Sequence, residues 1–281
     1  TFATCWLAPR LPRLYARHPD LHLQINTAIW DPMERGDMAD IEIRFLMAPA
    51  RDRPAERLAW LAETVPTAGQ AVLVSEMGEK AGMPHLALMA AKESQRRGLP
   101  VGLLAYPTKY IPKTATVPAG VDRAVVYAIA RQESLFNPGA RSPVGAAGLM
   151  QVMPRTASSM ARELGLKHSD ARLINDPAYN ATLGAAYLEK RLGNFDGSYI
   201  LTFAAYNAGA GRVREWIERF GDPRARNVDP IQWVEQIPYP ETRNYVMRVM
   251  ENVQVYREAL GTGRLAITTD LPRGRPSCPR R

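Results

Sequence analysis

The chain has 281 residues, 46% of them apolar, and a net charge of +8. That leaves room for one large or two modest domains around an ordinary core, and it excludes the disordered and fibrous classes for the chain as a whole. Cys5 and Cys278 are the only cysteines and lie at the two ends, which excludes a disulfide framework or a cysteine metal site; the four histidines offer no ligand pair at useful spacing. No metal and no cofactor are expected. No apolar run approaches the roughly 18 residues needed to cross a bilayer, and the start shows no charged region followed by an apolar core and a cleavage site. The positive charge favours a polyanionic partner, but residues 264–281 hold five arginines against Asp270 and so carry +4 of the +8. Residues 263–281 read as a basic, Pro-rich, disordered tail.

Residues 1–47 differ in pattern from the rest of the chain. Leu7, Leu11 and Leu14 form an apolar row up to His18-Pro19, Leu21–Ile25 alternates as a strand should, and Ile41, Ile43 and Phe45 alternate again. The stretches TFATCWLAPRLPRLYARHPDLHLQINT and GDMADIEIRF resemble the opening of the effector-binding domain of LysR-type regulators. That resemblance implies a small α/β fragment of βαβ type, which lacks a DNA-binding helix-turn-helix. No nucleic-acid partner is expected. Residues 48–53 (APARDR) read as a linker. From Pro54 the apolar spacing becomes helical, through Leu58, Leu61 and Val65, then Ala71, Val74 and Met77, then Leu86, Met89 and Ala90, with Gly82-Met83-Pro84 as a break. Two or three short antiparallel helices are expected from this spacing, and Tyr106–Pro118 reads as an extended connector.

A helix is expected to start near Asp122. Val126, Ile129 and Glu133 are spaced by three and four residues, so the Glu133 carboxyl shares a face with apolar side chains. Burial there raises a carboxyl pKa and keeps it protonated near neutrality, which a general acid requires; the alternative is a helix-end glutamate turned to solvent or paired with Arg131. Asn137-Pro138 and Ser142-Pro143 then mark turns, and Gly145, Gly148 and two alanines form a wall without side chains. Gln151 comes next, flanked by Met150 and Met153, whose thioethers suit an irregular apolar surface.

Farther on, Pro154 opens a helix that Gly165 closes, and Asp176-Pro177 supplies an N-cap and first position, so Asp176 reads as a cap and not a base. Ser198 is expected to cap a helix ending in Tyr206-Asn207-Ala208-Gly209, where Tyr and Asn serve either as C-cap chemistry or as a site. Val213, Trp216, Ile217 and Phe220 give another amphipathic helix. Glu241 opens the last long one, where it favours the helix N-terminus electrostatically.

Glu133-Ser134, Gly148–Gln151 (GLMQ), Ala205–Gly209 (AYNAG) and Ile237–Tyr245 (IPYPETRNY) occur in the order seen in soluble lytic transglycosylases, and the resemblance runs over 117–260. It implies a mainly α chain, with a goose-lysozyme-like domain of the glycoside hydrolase family 23 type over 117–262. Helical hairpins and a connector at 54–116 and the small α/β fragment precede that domain. It further implies a periplasmic enzyme acting on peptidoglycan glycan strands at the MurNAc-GlcNAc β-1,4 bond. In that reading Glu133 is the catalytic acid and then base, while Ser142, Gln151, Met153, Tyr206, Asn207 and Glu241 contact substrate, with the Tyr206 hydroxyl near Glu133. Arg243 and Tyr245 are candidates for structural or peptide-stem contacts. Ordinary glycosidases need two carboxylates, and this region offers one convincing one. That count agrees with the family's non-hydrolytic reaction, in which the muramoyl 6-hydroxyl closes on C1 to leave a 1,6-anhydro end. A hydrolytic muramidase and a non-catalytic peptidoglycan-binding module are the alternatives.

Overall fold

The computed structural model describes residues 67–80, 82–263 and 265–274, and the backbone of 21–27 and 41–47. The chain divides into two compact units, Thr1–Thr64 and Val65–Arg281. In the first, β1 (Leu21–Thr27) and β2 (Ile41–Met47) pair antiparallel, with Leu21 opposite Met47 and Thr27 opposite Ile41. Both strands fall where the alternation places them. The first strand and the helix of the expected βαβ unit fall within residues 1–20, outside the described residues. The helix expected over 7–14, the linker at 48–53 and the helix through Leu58 and Leu61 lie outside the described residues.

The second unit is helical. α1 (Ala68–Lys80) and α2 (Pro84–Arg96) form an antiparallel hairpin across Gly82, whose φ of +68° suits glycine, and Pro84 sits in the first turn of α2, where a missing N–H costs nothing. The pair approaches closely at Gly78, where a β-carbon would press on the Ala87 backbone, and the Ser75 hydroxyl donates to the Ala87 carbonyl. A 3-10 turn at Gly102–Ala105 follows α2, and the connector expected over Tyr106–Pro118 contains no helix or strand; it packs Tyr106 and Tyr110 against Tyr256 and Phe136 and buries Ile111 and Ala115. Phe136, Tyr127 and Tyr256 complete this aromatic cluster.

α3 (Arg123–Ser134) runs through the centre, and every residue from Ala124 to Arg131 is buried. A helix enclosed on all sides needs apolar residues all round, which AVVYAIA supplies. Asp122 caps it, accepting from the Ala124 N–H. α4 (Pro154–Glu163), a single turn α5 (Arg172–Asn175) and α6 (Pro177–Asn194) come next, and Asp176 caps α6 by accepting from the Tyr179 N–H as anticipated. α7 (Tyr199–Ala208) is the second enclosed helix, buried from Tyr199 to Ala205; Ser198 holds its N-cap position but makes no side-chain cap bond. α8 (Ala210–Phe220), α9 (Pro230–Glu235) and the long α10 (Pro240–Leu260) complete the body, and α10 packs along both α3 and α7.

The tail departs from its expected disorder over residues 265–274. A last turn, α11 (Ile267–Asp270), carries Asp270 into the protein, where it is 3% exposed. Arg257 of α10 bonds Asp270 through both terminal nitrogens and donates from Nε to Asp122 at 2.7 Å. Gln254 donates to Asp270 at 2.7 Å and accepts from the Ala266 N–H at 2.7 Å, and Arg273 donates to the Tyr199 hydroxyl at 3.0 Å. Composition argued for disorder, but one buried aspartate with a cationic partner is enough to pin the segment.

Candidate active site

The C-terminal end of α3 is unusual in its backbone. Leu135 and Phe136 both take left-handed φ values, +51° and +59°, immediately after Ser134, and Phe136 is buried. Side chains rarely adopt that region, and such strain persists where the surroundings impose it, most often at functional sites. Here the helix stops abruptly, and Glu133 is left in its last turn facing α10 and α7.

The loop after it is braced from within. The Ala147 and Val152 backbones exchange both hydrogen bonds, and Gly148 N–H reaches the Ala140 carbonyl. Ser142 closes a turn, accepting at its hydroxyl from the Ala146 N–H at 2.9 Å. Ser134 donates to the Leu149 carbonyl at 2.7 Å, tying the loop to the helix end. Asn180 of α6, wholly buried, clamps the loop from behind. Its amide donates to the carbonyls of Ala147 (2.8 Å) and Leu173 (3.0 Å) and accepts from the Met150 N–H (2.9 Å). Gly148, at φ +77°, lies so close to Asn180 and the Leu173 carbonyl that any β-carbon would overlap them. The glycine of GLMQ is therefore dictated both by conformation and by space.

Around Glu133 the polar groups converge. Tyr245 of α10 donates to Glu133 Oε1 at 2.7 Å. Tyr206 of α7 donates instead to the Met150 carbonyl at 2.9 Å, and the Glu133 charge adds to burial in holding its hydroxyl protonated. Tyr245 is likewise pushed well above the ordinary tyrosine value, first by burial and then by Glu133 and Tyr206. Burial raises Glu133 itself to about 7, with the Tyr245 hydrogen bond pulling down and the Glu241 carboxylate pushing up. A carboxyl near 7 is present in both protonation states at neutral pH, so one group can give a proton and later take one. Asn207 accepts from Thr242 at 2.6 Å, locking the end of α7 to the start of α10 beside the exposed Glu241.

Residues 111–228 match the Transglycosylase SLT domain. Residues 236–264 match the soluble lytic transglycosylase helical domain. The chain is similar to the soluble lytic murein transglycosylase of Escherichia coli K12, with 41% identity over 142 residues, which cover 50% of this chain and 21% of that protein. It is 39% identical over 130 residues to a putative soluble lytic murein transglycosylase of Haemophilus influenzae, covering 46% of this chain and 21% of the relative. Among solved structures, the 70-kDa soluble lytic transglycosylase complexed with bulgecin A aligns with a TM-score of 0.66 at 29% identity, covering 78% of this chain and 35% of that one. The lytic transglycosylase Slt of Pseudomonas aeruginosa aligns at 0.61 and 29%, covering 75% of this chain and 33% of that one. The chain thus spans about a fifth of the curated soluble relatives and about a third of the solved structures it matches. The mainly α, lysozyme-like fold class stands on these alignments.

Of the predicted residues, Tyr206 and Glu241 act electrostatically on or with Glu133; Tyr206 bonds the carbonyl of Met150, next to Gln151, and Asn207 bonds Thr242, next to Glu241. Two predicted contacts are partly spent on the protein itself. The Gln151 amide nitrogen bonds the Ala140 and Gly148 carbonyls, and its backbone is left-handed at +47°. The Ser142 hydroxyl serves its own turn. Met153 is 40% exposed where the loop enters α4. Arg243 donates to the Glu235 carbonyl at 3.0 Å, a structural contact. Sequence reasoning missed Asn180 and left Tyr245 among peripheral candidates. Asn180 had a signal, since it shares the face of Leu183 and Tyr187 on α6, where a polar amide amid apolar neighbours demands partners.

A cavity of about 480 Å³ between the α1–α2 hairpin and residues 101–110 includes none of these residues. Among the described residues no cluster of three His, Cys, Asp or Glu could hold a metal, and no helix is long and apolar enough to cross a membrane.

Proposed function

We propose that the chain is a peptidoglycan lytic transglycosylase cleaving the MurNAc-GlcNAc β-1,4 bond without water. The observation that carries this reading is the Glu133 carboxyl, partly buried, raised to about 7 by desolvation and held by Tyr245, within the span matching the Transglycosylase SLT domain. Protonated Glu133 gives its proton to the glycosidic oxygen as the C1–O bond breaks. The neighbouring N-acetyl group supplies electron density to C1 in place of a protein nucleophile. Glu133, now a carboxylate, takes the proton of the muramoyl 6-hydroxyl as that oxygen bonds C1. The site returns to its starting state and a 1,6-anhydro end forms. Tyr245, permanently protonated, stabilises the transient carboxylate. Met153, Gln151, Ser142, Tyr206, Asn207 and Glu241 form the substrate-facing surface. The names of the relatives support peptidoglycan as substrate and a periplasmic setting, although they describe proteins much longer than this chain.

The test is mass spectrometry of the soluble products after purified peptidoglycan is incubated with the full chain, beside Glu133→Gln. Anhydromuropeptides from the unaltered chain alone are expected. A second reading, hydrolysis, draws on the influence of Glu241 on Glu133; it requires solvent-derived 18-oxygen in new reducing ends and loss of that label in Glu241→Gln.

A further inference from the structure

The residues just before Glu241 contain a feature the proposed chemistry does not use. Tyr239 is the N-cap residue of α10 and is 42% exposed, the one aromatic among the exposed large apolar side chains of the described residues. Surface tyrosines are common, but this one is fixed in place. Its ring meets Trp216 of α8 edge-on at 5.4 Å between centroids and 90° between planes, and Trp216 is itself only 4% exposed. Its backbone is set by the adjoining Pro240 and by its carbonyl, which accepts the Arg243 N–H at 3.0 Å. The polypeptide from Tyr239 runs directly into the cleft: Glu241 acts on the Glu133 carboxyl, Thr242 bonds Asn207, and Tyr245 bonds Glu133. Tyr239 lies six positions, roughly 9 Å along the helix axis, before Tyr245, the residue that bonds Glu133. The loop after Glu133 also presents two exposed apolar side chains, Val144 at 76% and Met153 at 40%.

We infer that Tyr239 is a platform for a pyranose ring of the glycan strand at a subsite remote from the cleaved bond, seated by stacking of the sugar's C–H face on the phenol. A rigid two-torsion ring offers contact area with little ordering entropy, and its hydroxyl stays in water, which suits an amphipathic sugar. Binding energy gathered at such a distance holds the strand in register for Glu133. The inference rests on the glycan substrate proposed above.

The experiment uses the full chain in three forms, unaltered, Tyr239→Phe and Tyr239→Leu, assayed on purified glycan strands of defined length. Leucine keeps apolar bulk against Trp216 but removes the flat ring, and equal melting temperatures establish that folding is intact. Tyr239→Leu raises KM about two- to tenfold, more on strands of many repeats than on a single repeat, with kcat the less affected constant; Tyr239→Phe keeps the unaltered KM. Equal KM in Tyr239→Leu and the unaltered chain overturns the inference, as does a loss confined to kcat or a Tyr239→Phe that fails like leucine. Binding of the same strands to Glu133→Gln, with and without Tyr239→Leu, separates this from the catalytic reading. Weakened binding supports the platform even if no cleavage is seen, and undiminished or absent binding removes it.

Discussion

Asp270→Ala is expected to lower the stability of the helical unit sharply. The Asp270 side chain is 4% exposed and its main partner Arg257 9%, so both charges are largely out of water. Removing one member of a buried pair costs about 3–5 kcal/mol because the other is left without compensation. Arg257 retains Asp122 at 2.7 Å, which places the loss near the lower end, about 3 kcal/mol. Orphaning the Gln254 amide adds a smaller cost. For a unit of this size about 2–4 °C of melting temperature go with each kcal/mol, so a fall of about 6–12 °C is expected by circular dichroism. The double variant with Arg257→Met should fall by less than the sum of the two single variants, because the remaining charge is then gone as well. A shift under about 2 °C, or strictly additive effects, would refute the claim that this pair anchors residues 265–274.

Glu133→Gln should stabilise the protein at pH 8 and do so much less at pH 4. A carboxyl raised in the folded state from 4.5 to about 7 favours folding below the unfolded value and loses that contribution as pH rises through the folded one. Removing it gains on the order of 1–3 kcal/mol on the alkaline side, and a melting difference that does not change with pH contradicts the assignment. Tyr245→Phe removes the hydrogen bond that pulls Glu133 down. The alkaline limb of a pH–rate profile should therefore move upward by about one unit while the rate falls roughly 10- to 100-fold; an unmoved limb argues against the contact. Asn180→Ala strands two carbonyls and the Met150 N–H, at about 2–4 kcal/mol, measured by urea denaturation. If stability and activity both survive, the clamp is not what shapes the loop.

Much of this was legible locally. Asp122, Asp176-Pro177 and Pro154 announce helix starts through capping chemistry that acts over two or three residues, and the Val126–Ile129–Glu133 stripe pointed to a desolvated Glu133 carboxyl. What sequence did not reveal depends on distance along the chain. Tyr245 and Glu133 are 112 residues apart, and no periodicity reports such a meeting. The packing of Tyr106 and Tyr110 in the connector was not legible either, because their aromatic partners Phe136 and Tyr256 lie far along the chain. Over residues 265–274 composition pointed to disorder, because nothing local announces that Asp270 meets Arg257 and Gln254 of α10.

That aspartate also bears on how the protein is made. The cap of the Glu133 helix, Asp122, meets Arg257 only after 135 further residues, and Arg257 is itself fixed by Asp270. During synthesis the first half of the electrostatic surroundings of α3 exists long before the second. The arrangement around α3 closes only once residues 257–270 have been made, so a chain interrupted before residue 265 carries Glu133 but lacks the Asp270 clasp.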